Sequence, residues 1–163
     1  MSDDWVVSTP RGCFLEYKHT QWGYFGVPVL LLFAVISVTI ISADDESSTL
    51  FTVAVTAGMT LLLALVFLFS RLEVTVSGVA VVAAFGFGWP RRVIELGEVT
   101  AVRQVRNPWW YGWGLRKVYP HGWMYNVWGL DAVEFDLSSG KVFRIGTDQP
   151  DELFAVLSLQ VTT

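Results

Sequence analysis

Two long runs without a charged side chain, residues 20–43 and 47–70, dominate the pattern of apolar and polar positions, and only Asp44, Asp45 and Glu46 separate them. An α-helix needs about 20 apolar residues to cross a hydrocarbon core of about 30 Å. The pattern therefore predicts a transmembrane helical hairpin over 20–70, with helices at about 22–42 and 49–70. Trp22, Tyr24 and Phe25 open the first run, where amphipathic rings favour the headgroup level. Pro28 falls in the first two turns, where a missing N–H is tolerated or produces a kink. In the second run Thr52, Thr56 and Thr60 share one helical face, while Ala54 and Gly58 form a small-xxx-small pair on another. Both features suit helix-to-helix packing. Neither run contains Asp, Glu, Lys, Arg or His, the groups that mark transport paths inside membranes.

After residue 70 the periodicity changes from helical to alternating. Leu72, Val74 and Val76 point one way and Glu73, Thr75 and Ser77 the other, the signature of a half-buried strand. Residues 79–87 form a continuous apolar stretch too short to cross a membrane, which predicts a strand buried on both faces or touching lipid. Further strands are predicted at 92–96, 99–105, 122–127, 132–137 and 141–145, the last two joined by a turn at Ser138, Ser139 and Gly140. In that hairpin Val133, Phe135 and Leu137 oppose Val142 or Phe143 and Ile145, and Glu134 and Asp136 share the solvent face. A final helix follows, with Thr147 or Asp148 as its cap, Pro150 in its first turn, and Asp151 and Glu152 at its positive end. Its stripe of Leu153, Phe154, Val156 and Leu157 covers the strands.

Composition agrees with a membrane address: 53% of the 163 residues are hydrophobic, against about 45–50% for soluble chains. The formal net charge of −4 resides in the leader, 1–19, and in the loop between the runs. From Arg71 onward nine basic residues balance nine acidic ones, so no whole-domain basic field draws in nucleic acid. Arg11 and Lys18 precede the first run, Arg71 follows the second with Arg91 and Arg92 nearby, and the connecting loop has no base. The positive-inside rule then places both termini in the cytoplasm and the chain in the inner membrane as a multi-pass protein. The first run is longer than a 7–15-residue signal core, so it is read as retained. The leader is expected to be extended, with room for an added strand. The single cysteine, Cys13, makes neither a disulfide nor a zinc site by itself.

The order of about seven hairpin-linked strands and one closing helix, in a chain whose transmembrane helices come first, resembles that of bacterial membrane-anchored proteins with a pleckstrin-homology-like (PH-like) domain. The stretches that carry the resemblance are 71–76 (RLEVTV), 94–99 (IELGEV) and 140–148 (GKVFRIGTD). It covers 71–160. The resemblance implies a cytoplasmic PH-like domain over 71–163: a small antiparallel sheet or barrel closed by the C-terminal helix. The expected class is thus an α+β membrane protein. That family has no shared catalytic motif to carry over. The aromatic insertion at 109–125 departs from the short loops the family leads one to expect.

His19 and His121 lie far apart with no metal-ligand spacing, and no phosphate-binding glycine motif is present, so neither a catalytic residue, a metal nor a cofactor is expected. The chemistry concentrates instead in Arg103, Arg106, Trp109, Trp110, Tyr111, Trp113, Arg116, Lys117 and Trp123. Rings favour the headgroup layer, and each nearby cation adds roughly 1 kcal/mol of attraction to anionic lipid. The same residues read equally as a barrel filling or a subunit contact. The expected partners are the lipid bilayer and a second copy or another membrane protein. Non-catalytic interaction at the membrane is the leading function. The rivals are an oligomeric channel component lined by the threonine stripe, and an anionic-lipid sensor.

Overall fold

The computed structural model describes residues 17–24, 26–42, 49–120 and 122–161. The acidic loop, Cys13, His121 and most of the leader lie outside them. Among the described residues the chain is α+β, with three helices and nine strands arranged in two sheets.

The first strand, β1 (Tyr17–Trp22), precedes helix α1 (Gly26–Ser42), and helix α2 (Thr49–Phe69) leads into β2 (Arg71–Val76). β1 and β2 are antiparallel partners, from Tyr17 opposite Val76 to Trp22 opposite Arg71. The two apolar helices are therefore an insertion between two paired strands. This corrects the expected start of the first helix. Residues 20–22 belong to a sheet, and the Gly23 N–H donates to the Ser70 carbonyl at 2.6 Å just beyond the last strand pair. Leu72, Val74 and Val76 face the core, and their β1 counterparts Gln21, His19 and Tyr17 share that face.

β3 (Ala80–Phe85) and β4 (Arg91–Glu95) complete the first sheet in the order β1-β2-β3-β4. The apolar stretch over 79–87 is not buried on both faces. Val81, Ala83 and Phe85 are buried, whereas Ala80, Val82 and Ala84 are only half-buried.

The second sheet runs β5-β8-β9-β7-β6, from β5 (Val99–Arg106), β6 (Gly114–Val118), β7 (Gly122–Asn126), β8 (Asp131–Leu137) and β9 (Val142–Gly146). The expected β8–β9 hairpin forms with Val133 opposite Ile145 and Phe135 opposite Phe143. β7 pairs with β9 in parallel, so the domain is not wholly antiparallel, and the two sheets stay separate rather than closing into one barrel. Gly122 permits that parallel pairing. Its φ is +81°, and a Cβ there would overlap the Val142 carbonyl.

One apolar core joins the sheets. Leu72, Val81 and Phe85 of the first meet Val133, Phe135 and Ile145 of the second, and α3 (Pro150–Val161) adds Leu153 and Leu157. Burying each such side chain contributes about 1.5–3 kcal/mol. Phe154 and Val156, the rest of the expected stripe, are packed at the margin of the same core. The Thr147 hydroxyl accepts the Gln149 N–H at 3.0 Å ahead of α3, while Asp148 pairs with His19 Nε2 at 2.6 Å. The start of α3 is thereby tied to β1.

Tyr17 is buried at this tie, and loss of hydration raises its phenol well above the ordinary tyrosine range, with Glu152 and Asp148 pushing the same way against a hydroxyl contact to Thr147. A raised folded-state value means stability that is full below about pH 10, the unfolded tyrosine value, and lost as pH rises beyond it. Denaturation of the detergent-solubilised chain is expected to show such an alkaline loss. Tyr17→Phe should diminish it, leaving the smaller part due to Tyr125, whose phenol burial also raises.

Candidate membrane-proximal site

The site is organised by the junction of α2 with the first sheet. Only Ser70 lies between the end of α2 at Phe69 and the start of β2 at Arg71, which leaves no flexible linker. The Phe69 ring lies 5.3 Å from Phe85, Phe85 lies 5.1 Å from Tyr125, and Tyr125 lies 5.2 Å from Phe143. A continuous line of rings thus leads from the last turn of α2 through the core to the middle of the second sheet.

Exposed rings and cations surround this junction. Trp22 is half exposed, with the Arg71 guanidinium 5.7 Å over its ring. Arg71 also bonds Glu73 at 2.9 Å, and Lys18 reaches the same carboxylate at 3.1 Å. The β3–β4 connection presents Phe87 and Trp89, 83% and 71% exposed, and exposed Arg91 and Arg92 follow directly. On the other side, Tyr24 meets Trp128 edge-on at 5.6 Å, and Trp128 stacks on Trp113 at 5.6 Å with 15° between the planes. The Gln21 amide donates to the Trp128 carbonyl at 3.0 Å. Trp128 therefore carries the aromatic insertion to the start of α1.

The residues singled out from the sequence divide into three groups. Trp109 and Trp110 lie in a short 3-10 turn, 73% and 64% exposed, with their rings edge-to-face at 6.0 Å. Arg106 is exposed at the end of β5, 4.0 Å from Asp131, and by alternation lies on the opposite sheet face from Arg103 and Arg116. The Arg116 guanidinium donates to the Tyr111 carbonyl at 3.3 Å and so folds the turn back over the second sheet. Trp109, Trp110, Tyr111 and Arg116 are linked by these contacts, while Trp113 stacks on Trp128. Lys117 and Trp123, paired across β6 and β7, alternate to the opposite face from Arg116 and Met124.

Arg103 belongs to a structural network instead. It bonds Glu134 at 2.9 Å and Asp136 at 2.8 Å. Glu134 is buried, contrary to the expected solvent face, because Arg144 on β9 holds its other oxygen at 2.5 Å. Arg144 also donates to Asn107 at 2.9 Å and lies 6.0 Å under the Tyr111 ring. Burial pushes the Glu134 carboxyl upward, but hydrogen bonds and charge from Arg103 and Arg144 outweigh it and hold the group below the ordinary carboxylate range. Tyr111 is thus a cover for a buried ion pair.

On the helices, the Thr56 and Thr60 hydroxyls donate to the carbonyls one turn back, at 2.8 Å each, and a groove runs along this side of α2 past Ala57 and Ala64. Ala54 and Gly58 do not pack on α1. Both are exposed, and a Cβ at Gly58 would meet nothing within 4 Å.

Sequence reasoning passed over Phe87, Trp89 and Trp128 as surface groups. The alternation of glycine and ring over 86–89 (GFGW) between two strands is the available signal, since it marks a hairpin tip. No family model, curated protein or solved structure among those compared matches this chain.

Proposed function

We propose that this chain is a two-span inner-membrane protein whose PH-like domain, without catalysing a reaction, lies flush on the cytoplasmic leaflet and presents the Trp109, Trp110 and Arg116 surface to a neighbouring membrane protein, a second copy or lipid headgroups. The observation that carries this reading is the linkerless double joint at Gly23 and Ser70, ringed by exposed aromatic and basic side chains. A domain fixed to two helices at paired strands cannot swing away from the surface those helices leave.

Several features support the span. α2 has 21 residues, is long and apolar enough to cross a membrane, and has no buried residue. α1 has 17 residues, at the lower end of the crossing range of about 17–25. Both expose contiguous apolar side chains, among them Leu30, Leu31, Val35, Phe51, Leu61 and Leu65, a surface of the kind that lipid covers. The PH-like reading rests on strand order. With the short β6 set aside as part of the aromatic insertion, β2, β3, β4, β5, β7, β8 and β9 remain within 71–160, followed by one closing helix.

The test is a photocrosslinking amino acid at position 110 of the full chain in intact membranes, with position 141, exposed on the β8–β9 turn, as the comparison. A discrete adduct at 110 and none at 141 is expected, and its mass distinguishes a second copy, another protein and lipid. Equal or absent adducts at both positions would remove the recognition role.

A further inference from the structure

The β3–β4 tip has no role in the recognition surface just described, yet its geometry is closely specified. The Phe85 N–H donates to Pro90 at 3.0 Å, and the Gly88 N–H donates back to Phe85 at 2.8 Å. Gly86 donates to the Arg71 carbonyl at 2.9 Å. Its φ of +50° suits glycine, and a Cβ there would come within 2.7 Å of the Leu68 carbonyl. The tip is therefore seated directly on the last turn of α2.

That seating fixes its depth. The Phe87 ring lies 6.0 Å from the Phe67 ring, and Phe67 is two residues before the end of α2, roughly 3 Å along the helix axis. Where α2 leaves the hydrocarbon, Phe87 stands at the same level. Trp89 follows at the rim and Arg91 behind it, all three exposed. Rings at the glycerol level with a guanidinium reaching toward phosphate is the arrangement the membrane interface favours. The outer face of the sheet continues the apolar surface through half-buried Val82 and exposed Val93.

We propose that the β3–β4 tip, residues 86–89, is a lipid anchor: Phe87 and Trp89 insert into the headgroup layer of the leaflet that α2 exits and fix the tilt of the domain. The proposal rests on α2 spanning the membrane. Its occupant is lipid, because the tip is continuous with the helix surface that lipid already covers and carries interface chemistry at the matching depth.

The experiment uses the full chain with Cys13→Ser, reconstituted in vesicles of phosphatidylcholine and phosphatidylglycerol. A polarity-sensitive fluorophore is placed by Phe87→Cys, by Trp89→Cys, by Leu65→Cys inside α2, or by Tyr119→Cys, whose site is 95% exposed at the end of β6. Labels at 87 and 89 are expected to be several-fold less quenched by aqueous iodide than the label at 119, and several-fold more quenched by a shallow nitroxide lipid. Adding Trp89→Asp to the labelled Phe87→Cys chain should move its quenching toward that at 119. Quenching at 87 and 89 equal to that at 119 overturns the anchor while 65 still reports a spanning helix. Protection from iodide without nitroxide quenching also overturns it, since protein rather than lipid then covers the tip. An iodide-accessible label at 65 overturns the span and the anchor together.

Discussion

Arg144→Met lowers the stability of the folded domain by about 3–5 kcal/mol, the usual consequence of removing one partner from a buried ion pair. Glu134 and Arg144 are 4% and 5% exposed, so the abandoned carboxylate cannot recover its hydration. Arg103 remains, but its side chain is more than half exposed and water screens its charge. The pH dependence separates this cause from simple loss of packing. In the native chain Glu134 is held below the ordinary carboxylate range, so its contribution is present above about pH 4.3 and is lost as pH falls through the folded value. In Arg144→Met burial is opposed by one guanidinium fewer, and the carboxyl is expected to rise above its unfolded value. The variant then regains stability as pH falls, the opposite sign. Urea denaturation of the detergent-solubilised chain at several pH values, followed by tryptophan fluorescence, reads both limbs. Glu134→Leu combined with Arg144→Met should recover much of the loss, because no lone buried charge remains. A double variant as unstable as the single one would show that the network matters by shape rather than charge.

Phe85→Ala is expected to cost a further class of stability, about 3–5 kcal/mol for a large aromatic truncated in a core. Phe85 is fully buried and touches both Phe69 and Tyr125, so its removal also parts the domain from the end of α2. Amide hydrogen exchange in detergent or nanodiscs should therefore rise in β2, β3 and β7 more than in α3. Phe85→Leu, which fills most of the space, should restore most of the protection. Uniform acceleration across the domain would show that the ring line has no special coupling to the helix.

Much of the domain was legible in local pattern. The alternation of Leu72, Val74 and Val76 against Glu73 and Thr75, the β8–β9 hairpin, and the proline and acidic residues opening α3 each depend on neighbours a few positions away. β6 was missed, because glycine and crowded rings over 109–114 mask a strand whose pairing partner decides it. For the β3 stretch, two readings were open, burial on both faces or contact with lipid, and half-buried Ala80, Val82 and Ala84 remove only the first. Apolar sequence does not reveal that one face of a sheet is left without a covering layer. Glu134 is buried rather than on the solvent face, since two guanidinium groups make an otherwise prohibitive site acceptable: Arg144 stands opposite it on the β8–β9 hairpin, but Arg103 comes from β5, 31 residues away. Of the candidate surface, Trp109, Trp110 and Arg116 come together, whereas Arg103 is taken into the ion-pair network and Arg106, Lys117 and Trp123 lie on the other face of the sheet.

By itself the sequence determined that two uncharged apolar helices lie next to each other in the chain and that strands and one terminal helix follow, because side-chain period and hydropathy act locally. Only the tertiary structure decided that those helices interrupt a strand pair, that the Gly23 N–H ties the start of α1 to the Ser70 carbonyl, and which rings remain outside the core. The reason is physical. Sheet pairing, burial of charge and the seating of a hairpin tip on α2 all depend on groups brought together from separate elements, and their energies exist only once those groups meet.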